Sequence, residues 1–360
     1  MPGHLFMTGA TGFIGRRILQ LWLERTDATL SVLVRVPAGT TLEEKRRRLL
    51  TGLPDDLDGP ARKRIRLVPG DLARPRLGLE REARTSLAAE VTHIVHAGAH
   101  LQFNLQLDQA RRVNTDGTKA VLDLARECAR LERLDHLSTA YVGGSSEGTV
   151  LEDRRPSHSG HNNAYERSKC EAEILVWEGM EEVPAAILRP TIVTCDVRTG
   201  YTPGTSAFYR ILHGFASGLL TVIPGRPEAL LDLVPLDYVA EAAFVIGGES
   251  HAAHRCFHLS AGEKNLISLG DLRDLACDAF GRDSVEILPP DEFFRWSAVQ
   301  REARPRLKSL LSEMELYLPY LSEHPLFDNR NTREVLGETS VRPTPVQDYF
   351  DRIVDFIRSQ

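Results

Sequence analysis

The stretch Thr8-Gly9-Ala10-Thr11-Gly12-Phe13-Ile14-Gly15 stands between a short apolar run and an amphipathic run that begins at Phe13. A strand, a glycine-rich turn and a helix in this order form a cradle for the pyrophosphate of a dinucleotide. Gly9 permits the tight turn, Gly12 lets the backbone approach the phosphates, and Gly15 lets the helix pack against the strand. A glycine-rich turn without a ligand is the alternative, but the position at a helix N-terminus favours phosphate binding. The residues expected to contact the cofactor here are Gly9, Thr11, Gly12, Phe13, Ile14 and Gly15.

Apolar runs alternate with helical stretches over the first two thirds of the chain. The predicted strands are Leu5–Thr8, Leu30–Arg35, Ile65–Pro69, His93–Ala97, Leu134–Ser138 and Ala185–Pro190. The predicted helices between them include Phe13–Arg25, Thr115–Arg130 and Asn163–Trp177. Such alternation indicates βαβ units and a parallel sheet covered on both faces. The sequence therefore predicts an α/β fold with a Rossmann-type doubly wound parallel sheet.

The rhythm of the sequence changes after about residue 196. Gly and Pro become frequent, and helices dominate toward the C-terminus. We expect residues 1–195 to form a dinucleotide-binding domain, to which segments at about 232–260 return, including a strand at Arg255–Leu259. Residues 196–231 and 261–360 are expected to form a smaller, mainly helical substrate-binding lobe.

The composition excludes several classes of protein. The chain has 360 residues, of which 42% are hydrophobic and 26% charged, and a formal net charge of −6. An acidic chain argues against nucleic acid or an anionic membrane surface as partner. The five cysteines are widely spaced without a CxxC pair, which is typical of reduced thiols. Because neither a signal peptide nor a membrane span is recognisable, we expect a cytoplasmic protein.

The end of the second predicted strand, Val32-Leu33-Val34-Arg35, indicates which cofactor is bound. An acidic residue there would accept hydrogen bonds from the adenine ribose of NAD, whereas Arg35 can pair with a 2′-phosphate. We therefore expect NADPH, with NADH as the less favoured alternative. The basic run 46–48 either assists Arg35 or lies on a solvated helix face, and the second interpretation is favoured for each residue. Further cofactor contacts are expected from Asp71, Leu72, Ala97, Gly98 and Ala99, which follow the third and fourth strands.

Tyr165 and Lys169 are four residues apart in a predicted helix, so their side chains project from the same face. A phenol with a pKa near ~10 exchanges protons poorly at neutral pH. A neighbouring ammonium stabilises the phenolate, so Lys169 is expected to lower the pKa of Tyr165 and to hold the nicotinamide ribose. The pair predicts general acid–base chemistry, although a surface pair would show the same spacing.

Hydroxyl side chains follow the fifth predicted strand in Ser138-Thr139-Ala140-Tyr141-Val142. The carboxyl ends of parallel strands form the ligand-binding edge of the sheet. Either Ser138 or Thr139 can therefore donate a hydrogen bond to a substrate oxygen that gains negative charge. Asn114 stands at the predicted start of a helix, where it either caps the helix or orients the cofactor side of the site.

Together these motifs resemble the extended short-chain dehydrogenases/reductases. The series covers roughly the first 240 residues in order: TGATGFIG (8–15), GDL (70–72), HAGA (96–99), VNTDGT (113–118), STAYV (138–142), YERSK (165–169) and RPTIV (189–193). STAYV, RPTIVTCD with a nearby TG (199–200), and DLVPLDYVA (232–240) are similar to the thioester-reductase branch. That branch includes fatty acyl-CoA reductases and the terminal reductase domains of carboxylic acid reductases and peptide synthetases.

The resemblance implies Thr139, Tyr165 and Lys169 as the catalytic residues, with Thr139 preferred to Ser138 because its offset from Tyr165 matches the extended family. It also places Pro190, Thr191 and Ile192 against the nicotinamide.

The activity that the resemblance implies is NADPH-dependent hydride transfer to a thioester or a derived aldehyde. The expected substrate is a small molecule or an acyl thioester, delivered on a separate carrier protein where it is carrier-bound. A homodimer is a further expectation. The alternatives are a ketone reductase of secondary metabolism, a sugar-nucleotide epimerase or dehydratase that uses NAD, and a non-catalytic NADPH sensor. Arg35 counts against the epimerase, and the presence of both Tyr165 and Lys169 counts against the sensor.

Two groups of histidines have structural and functional interpretations. His93, His96 and His100 are close in sequence, but no carboxylate or Cys completes a ligand set, so structural roles are favoured and no metal is expected. His158 and His161 are expected in a loop that rims the pocket.

The C-terminal part is rich in apolar residues at mostly helical spacing, among them Phe293, Leu311 and Met314. Helix packing within the small lobe is the favoured interpretation, and an apolar wall for a long acyl substrate is the alternative.

Overall fold

The structure is a computed structural model that describes residues 3–54, 57, 59–144, 148–153, 155–157, 160–204, 206–283, 285–303, 305–322 and 325–360. The strands in chain order are β1 (His4–Thr8), β2 (Thr29–Val34), β3 (Ile65–Pro69), β4 (His93–His96), β5 (Arg133–Leu137), β6 (Thr149–Val150), β7 (Ala185–Pro190), β8 (Ile192–Val193), β9 (Val222–Pro224), β10 (Leu230–Leu231), β11 (Leu233–Val234), β12 (Cys256–Leu259), β13 (Ile267–Ser268), β14 (Glu286–Leu288) and β15 (Leu326–Phe327). The helices are α1 (Phe13–Arg25), α2 (Leu42–Thr51), α3 (Gly59–Lys63), α4 (Arg81–Glu90), α5 (Leu107–Glu127), α6 (Ala164–Gly179), α7 (Ala207–Ala216), α8 (Leu236–Gly248), α9 (Leu269–Phe280), α10 (Pro290–Ala303), α11 (Lys308–Tyr317), α12 (Arg330–Leu336) and α13 (Phe350–Arg358).

A seven-stranded sheet with the order β12-β7-β5-β4-β1-β2-β3 forms the centre of the fold. Every neighbouring pair in it is parallel. The chain moves outward from β1 to β3 on one side and from β4 to β12 on the other, so the order reverses between β1 and β4. The predicted Rossmann-type doubly wound sheet is confirmed, and in sheets of this type ligands bind where the order reverses.

The sheet is covered on both faces because its side chains alternate between two apolar layers. Leu5 and Met7 point into one hydrophobic cluster with residues of α1 and α8. Phe6, between them, points into a second cluster with residues of α4, α5 and α6.

A third hydrophobic cluster lies outside the sheet. It joins residues of α7, α9, α10, α11 and α13, and includes Phe293, Leu311 and Met314, each 1% exposed or less. This confirms helix packing as the role of these three side chains. Which segments fold as separate domains stays a prediction.

One predicted helix boundary is wrong. The helix expected at Thr115–Arg130 begins eight residues earlier, at Leu107, and ends at Glu127. Tertiary contacts hold the extra turns, since the Arg111 guanidinium bonds both carboxylate oxygens of Glu171 on α6 at 2.8 and 2.7 Å. Asn114 therefore lies inside a helix and is not its cap.

Within the described ranges, each helix is too short or too polar to span a lipid bilayer. The five cysteines are buried free thiols.

Candidate active site

The glycine loop after β1 is built against the loop after β4. Gly9 has φ 73°, and a Cβ there would lie 2.4 Å from the Ala97 carbonyl carbon and 2.5 Å from the Gly98 nitrogen. A Cβ at Gly15 would lie 2.2 Å from the Gly9 oxygen. Only glycine fits at these two positions, because the opposing atoms belong to backbone.

The start of α1 is open toward the carboxyl edge of the sheet. Gly12 is its N-cap, no side chain of the described residues caps the helix, and Thr11 and Gly12 are exposed. Phe13 and Ile14 are half-buried at the first positions of the helix. Free N–H groups and the positive end of the helix dipole fit a pyrophosphate.

Other residues expected to contact the cofactor near this loop also make contacts within the protein. A Cβ at Gly98 would lie 2.6 Å from Cδ1 of Leu72, and the Gly98 N–H donates to the Thr8 hydroxyl at 3.1 Å. Asp71 forms an Asx turn in which its carboxylate accepts the Ala73 N–H at 2.9 Å. Asp71 and Leu72 thus lie at the same edge as residues 97–99.

Arg35 is exposed and directly follows β2 at the carboxyl edge of the sheet. Arg46 points to the opposite edge, where its guanidinium donates to the carbonyl of Ile65, the first residue of β3, at 3.0 Å. Arg47 and Arg48 are exposed on α2. Arg35 is therefore the arginine of this group that directly follows the carboxyl end of β2.

The three residues expected to be catalytic lie together at the carboxyl end of β5. Tyr165 and Lys169 are one turn apart on α6. The Thr139 hydroxyl hydrogen-bonds with the Tyr165 phenol. The Lys169 ammonium, 2% exposed, donates to the Leu137 carbonyl at 2.7 Å and to His136 Nε2 at 3.3 Å.

The pKa values of this pair do not follow the sequence-based expectation. Burial raises the pKa of Tyr165 to about 12, and its hydrogen bond with Thr139 opposes the rise. Burial lowers the pKa of Lys169 to about 8, and the charge of Glu173 opposes the fall. The expected lowering of the Tyr165 pKa is therefore wrong for this structure, because desolvation outweighs any help from an ammonium that bonds to β5.

Ser138 and Thr139 point to different partners. The Ser138 hydroxyl donates to the Glu173 carboxylate at 2.5 Å, in a buried network where Arg189 also bonds Glu173 at 2.5 Å. Ser138 is thus part of the support of the sheet, and Thr139 is the hydroxyl beside Tyr165.

Asn114 connects the loop after β4 to α6. Its side-chain oxygen accepts the His100 N–H at 2.7 Å, and its amide donates to the His100 carbonyl at 3.1 Å and to the Ser168 hydroxyl at 2.9 Å. The side chain therefore fixes the loop beside the expected cofactor position.

The segment 190–192 is held from the side of β12 and β11. The Thr191 hydroxyl donates to Asp232 at 2.7 Å, and the Ile192 N–H donates to the Asp232 carbonyl at 3.2 Å. Burial raises the pKa of Asp232 to about 6. Pro190 and Thr191 are buried, and Ile192 is half-buried.

Aromatic residues that the motifs did not indicate form a cluster beside Tyr165. The ring of Phe103 stacks on Tyr165 with centroids 5.7 Å apart. Tyr317 and Tyr320 pack on Phe103 at 5.5 and 5.6 Å. The Tyr320 hydroxyl bonds to Glu166, whose buried carboxyl is next to Tyr165 in the chain. The sequence feature that could have indicated Phe103 is a lone aromatic residue in a polar loop. No spacing of residues in the sequence indicated Tyr320.

The histidines have separate partners. His93 bonds the Thr92 hydroxyl, and His96 bonds the hydroxyls of Thr8 and Thr118. Among the described residues, no cluster of three His, Cys, Asp or Glu side chains is suited to a metal ion. His161 bonds the Val142 carbonyl at 3.1 Å, next to the site, and His158 lies outside the described residues.

The family model described as male sterility protein matches residues 7–243. The chain belongs to this family. It is a branch of the extended short-chain dehydrogenases/reductases, whose members are NAD(P)-dependent oxidoreductases. The predicted family, enzyme class and nicotinamide type of cofactor are thereby confirmed.

Relatives and solved structures agree with this membership. The fatty acyl-CoA reductase wat of Drosophila melanogaster is 26% identical over 78% of the chain, and the isonitrile lipopeptide synthase of Streptomyces coeruleorubidus is 32% identical over 67%. The chain spans 62% of the first relative and 16% of the second. The terminal R domain of the myxalamid PKS-NRPS biosynthetic pathway superimposes with a TM-score of 0.87 at 27% identity, covering 100% of this chain and 93% of that one.

Proposed function

We propose that the chain is an NADPH-dependent reductase that acts on an acyl thioester or a derived aldehyde. The observation that carries the proposal is the joint position of Thr139, Tyr165 and Lys169 at the end of β5, beside the glycine cradle. Its support is the similarity to fatty acyl-CoA reductases and to a terminal R domain.

The residues of the site act on the carbonyl oxygen of the substrate. NADPH supplies the hydride when it is bound in the glycine cradle. Tyr165, with its pKa raised to about 12, keeps its proton at neutral pH. It can pass that proton to an oxygen that develops alkoxide character, since an alkoxide is a stronger base than a phenolate. Thr139 donates a second hydrogen bond to the same oxygen.

With a thioester substrate, the proposed reaction is an addition of hydride followed by the loss of a thiol. The hydride forms a C–H bond at the carbonyl carbon, and Tyr165 protonates the oxygen, which gives a hemithioacetal. Collapse of the hemithioacetal breaks the C–S bond and releases an aldehyde and a thiol. A second hydride from a second NADPH, together with a proton from Tyr165 after it has been reprotonated by solvent, would convert the aldehyde to an alcohol.

We assign the preference for NADPH to Arg35, which is exposed at the carboxyl edge of the sheet. Arg35→Ala should raise the KM for NADPH about ten-fold or more and leave that for NADH unchanged, since a charge-assisted contact is lost. Arg47→Ala, on the exposed face of α2, is the matched control. Equal rates of the wild type with NADH and NADPH would overturn the assignment.

The acyl group is proposed to lie against the aromatic residues around Tyr165, namely Phe103, Tyr317 and Tyr320. Its thiol carrier is either coenzyme A or the arm of a separate carrier protein, and both belong in the test.

The deciding experiment follows NADPH oxidation with acyl-CoAs, acyl-carrier thioesters, aldehydes and ketones, with trapping of aldehyde product. Thioester turnover is expected in the wild type. Tyr165→Phe should lose at least about 100-fold in kcat and keep NADPH affinity, because the proton donor alone is removed. Full activity of Tyr165→Phe would overturn the mechanism, and turnover of ketones alone would overturn the substrate class.

A further inference from the structure

His136 is a fully buried histidine on β5 that the proposed mechanism does not use. Its Nε2 lies 3.3 Å from the Lys169 ammonium. An ammonium only donates hydrogen bonds, so Nε2 must be the unprotonated acceptor and the ring proton must lie on Nδ1. This contact therefore assigns the neutral tautomer with the proton on Nδ1 to His136.

The opposite side of the same ring is unsatisfied. His136 Nδ1 is buried and has no hydrogen-bond partner among the described residues. Burying an N–H group without an acceptor is costly, and such groups are rare in folded proteins. The orientation of the ring therefore serves its contact with Lys169.

Few of the titratable groups around Lys169 can bind its ammonium directly. On β5 it meets His136, and the pKa of His136 is held well below its usual value by burial, Lys169 and His96. On β4 it faces His96, whose pKa burial lowers to about 3. On its own helix the charge of Glu173 reaches it, but that carboxylate is bonded to Arg189 and Ser138. No direct ion pair balances the ammonium among the described residues.

The neighbouring histidine, His96, forms hydrogen bonds with other side chains. The Thr118 hydroxyl donates to the Asn114 carbonyl at 2.5 Å, so it accepts from His96 Nε2 at 3.0 Å. The Thr8 hydroxyl bonds His96 Nδ1 at 2.7 Å. Both ring nitrogens of His96 are therefore occupied, which leaves His136 as the side chain that accepts from Lys169.

We propose that His136 is a positioning residue for Lys169. Its Nε2 and the Leu137 carbonyl take two of the three N–H bonds of the ammonium. The third N–H remains for the cofactor ribose and the Tyr165 side of the site. The imidazole supports the charged form of the lysine by accepting a hydrogen bond, without the countercharge that would draw the ammonium away.

The titration of Lys169 tests this proposal directly. The chain has six lysines, and Lys169 is the buried one, so ¹³Cε-labelled lysine gives few signals. Lys169→Met identifies the signal of Lys169 by its disappearance. In the full-length wild type the signal should titrate well below the usual lysine range.

The variants separate the hydrogen bond from simple packing. His136→Leu should lower the Lys169 pKa by about one to two pH units, because a hydrogen bond to a charged group is lost. His136→Gln places an acceptor near the former Nε2 position and should restore the wild-type titration to within a few tenths. His136→Asn carries its amide near the former Nδ1 position, cannot reach Lys169, and takes the place of His136→Leu if the latter does not fold.

The control is His93→Leu, a buried histidine on β4 at the opposite edge of the sheet, where it bonds Thr92. It should leave the Lys169 titration unchanged. An unchanged or raised Lys169 pKa in His136→Leu or His136→Asn would overturn the proposal. The inference on catalysis rests on the proposed function, but the titration does not, so a wild type that turns over no thioester leaves this result interpretable.

Discussion

Replacing Gly9 with alanine would place a Cβ atom in the backbone of the loop after β4. The new atom would lie 2.4 Å from the Ala97 carbonyl carbon and 2.5 Å from both the Ala97 oxygen and the Gly98 nitrogen. These atoms belong to the two residues that directly follow β4, which pairs with β1 over four residues. The clash can therefore be relieved only by moving the glycine loop away from the sheet.

Two costs add in this variant. The left-handed backbone at φ 73° costs an L-residue about 1–2 kcal/mol. Overpacking against rigid atoms costs about 1–3 kcal/mol more. The free energy of unfolding should therefore fall by about 2–5 kcal/mol, and NADPH binding should weaken because the phosphate cradle is displaced.

Urea unfolding measures the first effect and the fluorescence of bound NADPH measures the second. Gly39→Ala is the matched control, because Gly39 has φ 80° in the loop after β2 and its Cβ would meet nothing within 4 Å. It should carry the backbone cost of about 1–2 kcal/mol alone and bind NADPH like the wild type. Equal losses of stability in the two variants, or unchanged NADPH affinity in Gly9→Ala, would refute the close approach of the two loops.

Thr139→Ala should lower kcat/KM about 100-fold by removing the hydroxyl beside Tyr165, whereas Ser138→Ala, whose hydroxyl faces Glu173, should lose much less in the same assay. Equal losses would contradict the assignment of Thr139. Burial raises the pKa of Asp135 to about 7. In the unfolded chain the pKa of this carboxyl is near ~3.9. The stability that the protonated carboxyl contributes to the folded protein is therefore fully present below that pH and is lost as the pH rises through about 7. Urea unfolding should therefore show wild type losing up to about 4 kcal/mol relative to Asp135→Asn over that range, and a constant difference would argue against the raised pKa. Tyr320→Phe should cost about 1–3 kcal/mol in free energy of unfolding by leaving the buried Glu166 without its hydroxyl partner. Tyr317→Phe is its control, because the Tyr317 hydroxyl makes only a long hydrogen bond, of 3.4 Å, to Glu313. A similar loss in free energy of unfolding for both variants would count against the Glu166 contact.

The positions of the strands along the chain and the glycine loop could be predicted because their signals are local. A buried parallel strand shows in the sequence as a short apolar run. Gly9 directly follows such a run, and its positive φ is the conformation that the motif requires there. The position of Tyr165 and Lys169 on one face likewise follows from helical spacing. By contrast, the start of α5 at Leu107 was not predicted, and its first turns make contacts such as that of Arg111 with Glu171, which no local pattern encodes.

The glycine stretch at residues 8–15 thus predicted, from sequence alone, a dinucleotide-binding sheet, and the spacing of Tyr165 and Lys169 placed both side chains on one face of a helix. The tertiary structure gave Ser138 and Thr139 different partners, placed Asn114 inside a helix, stacked Phe103 on Tyr165 and packed Tyr320 on Phe103. It also decided that the pKa of Tyr165 is raised and that Lys169 bonds to His136. Hydrogen-bond partners and desolvation depend on residues far apart in the chain that meet only in the folded molecule, whereas backbone conformation and side-chain periodicity are set within a few residues.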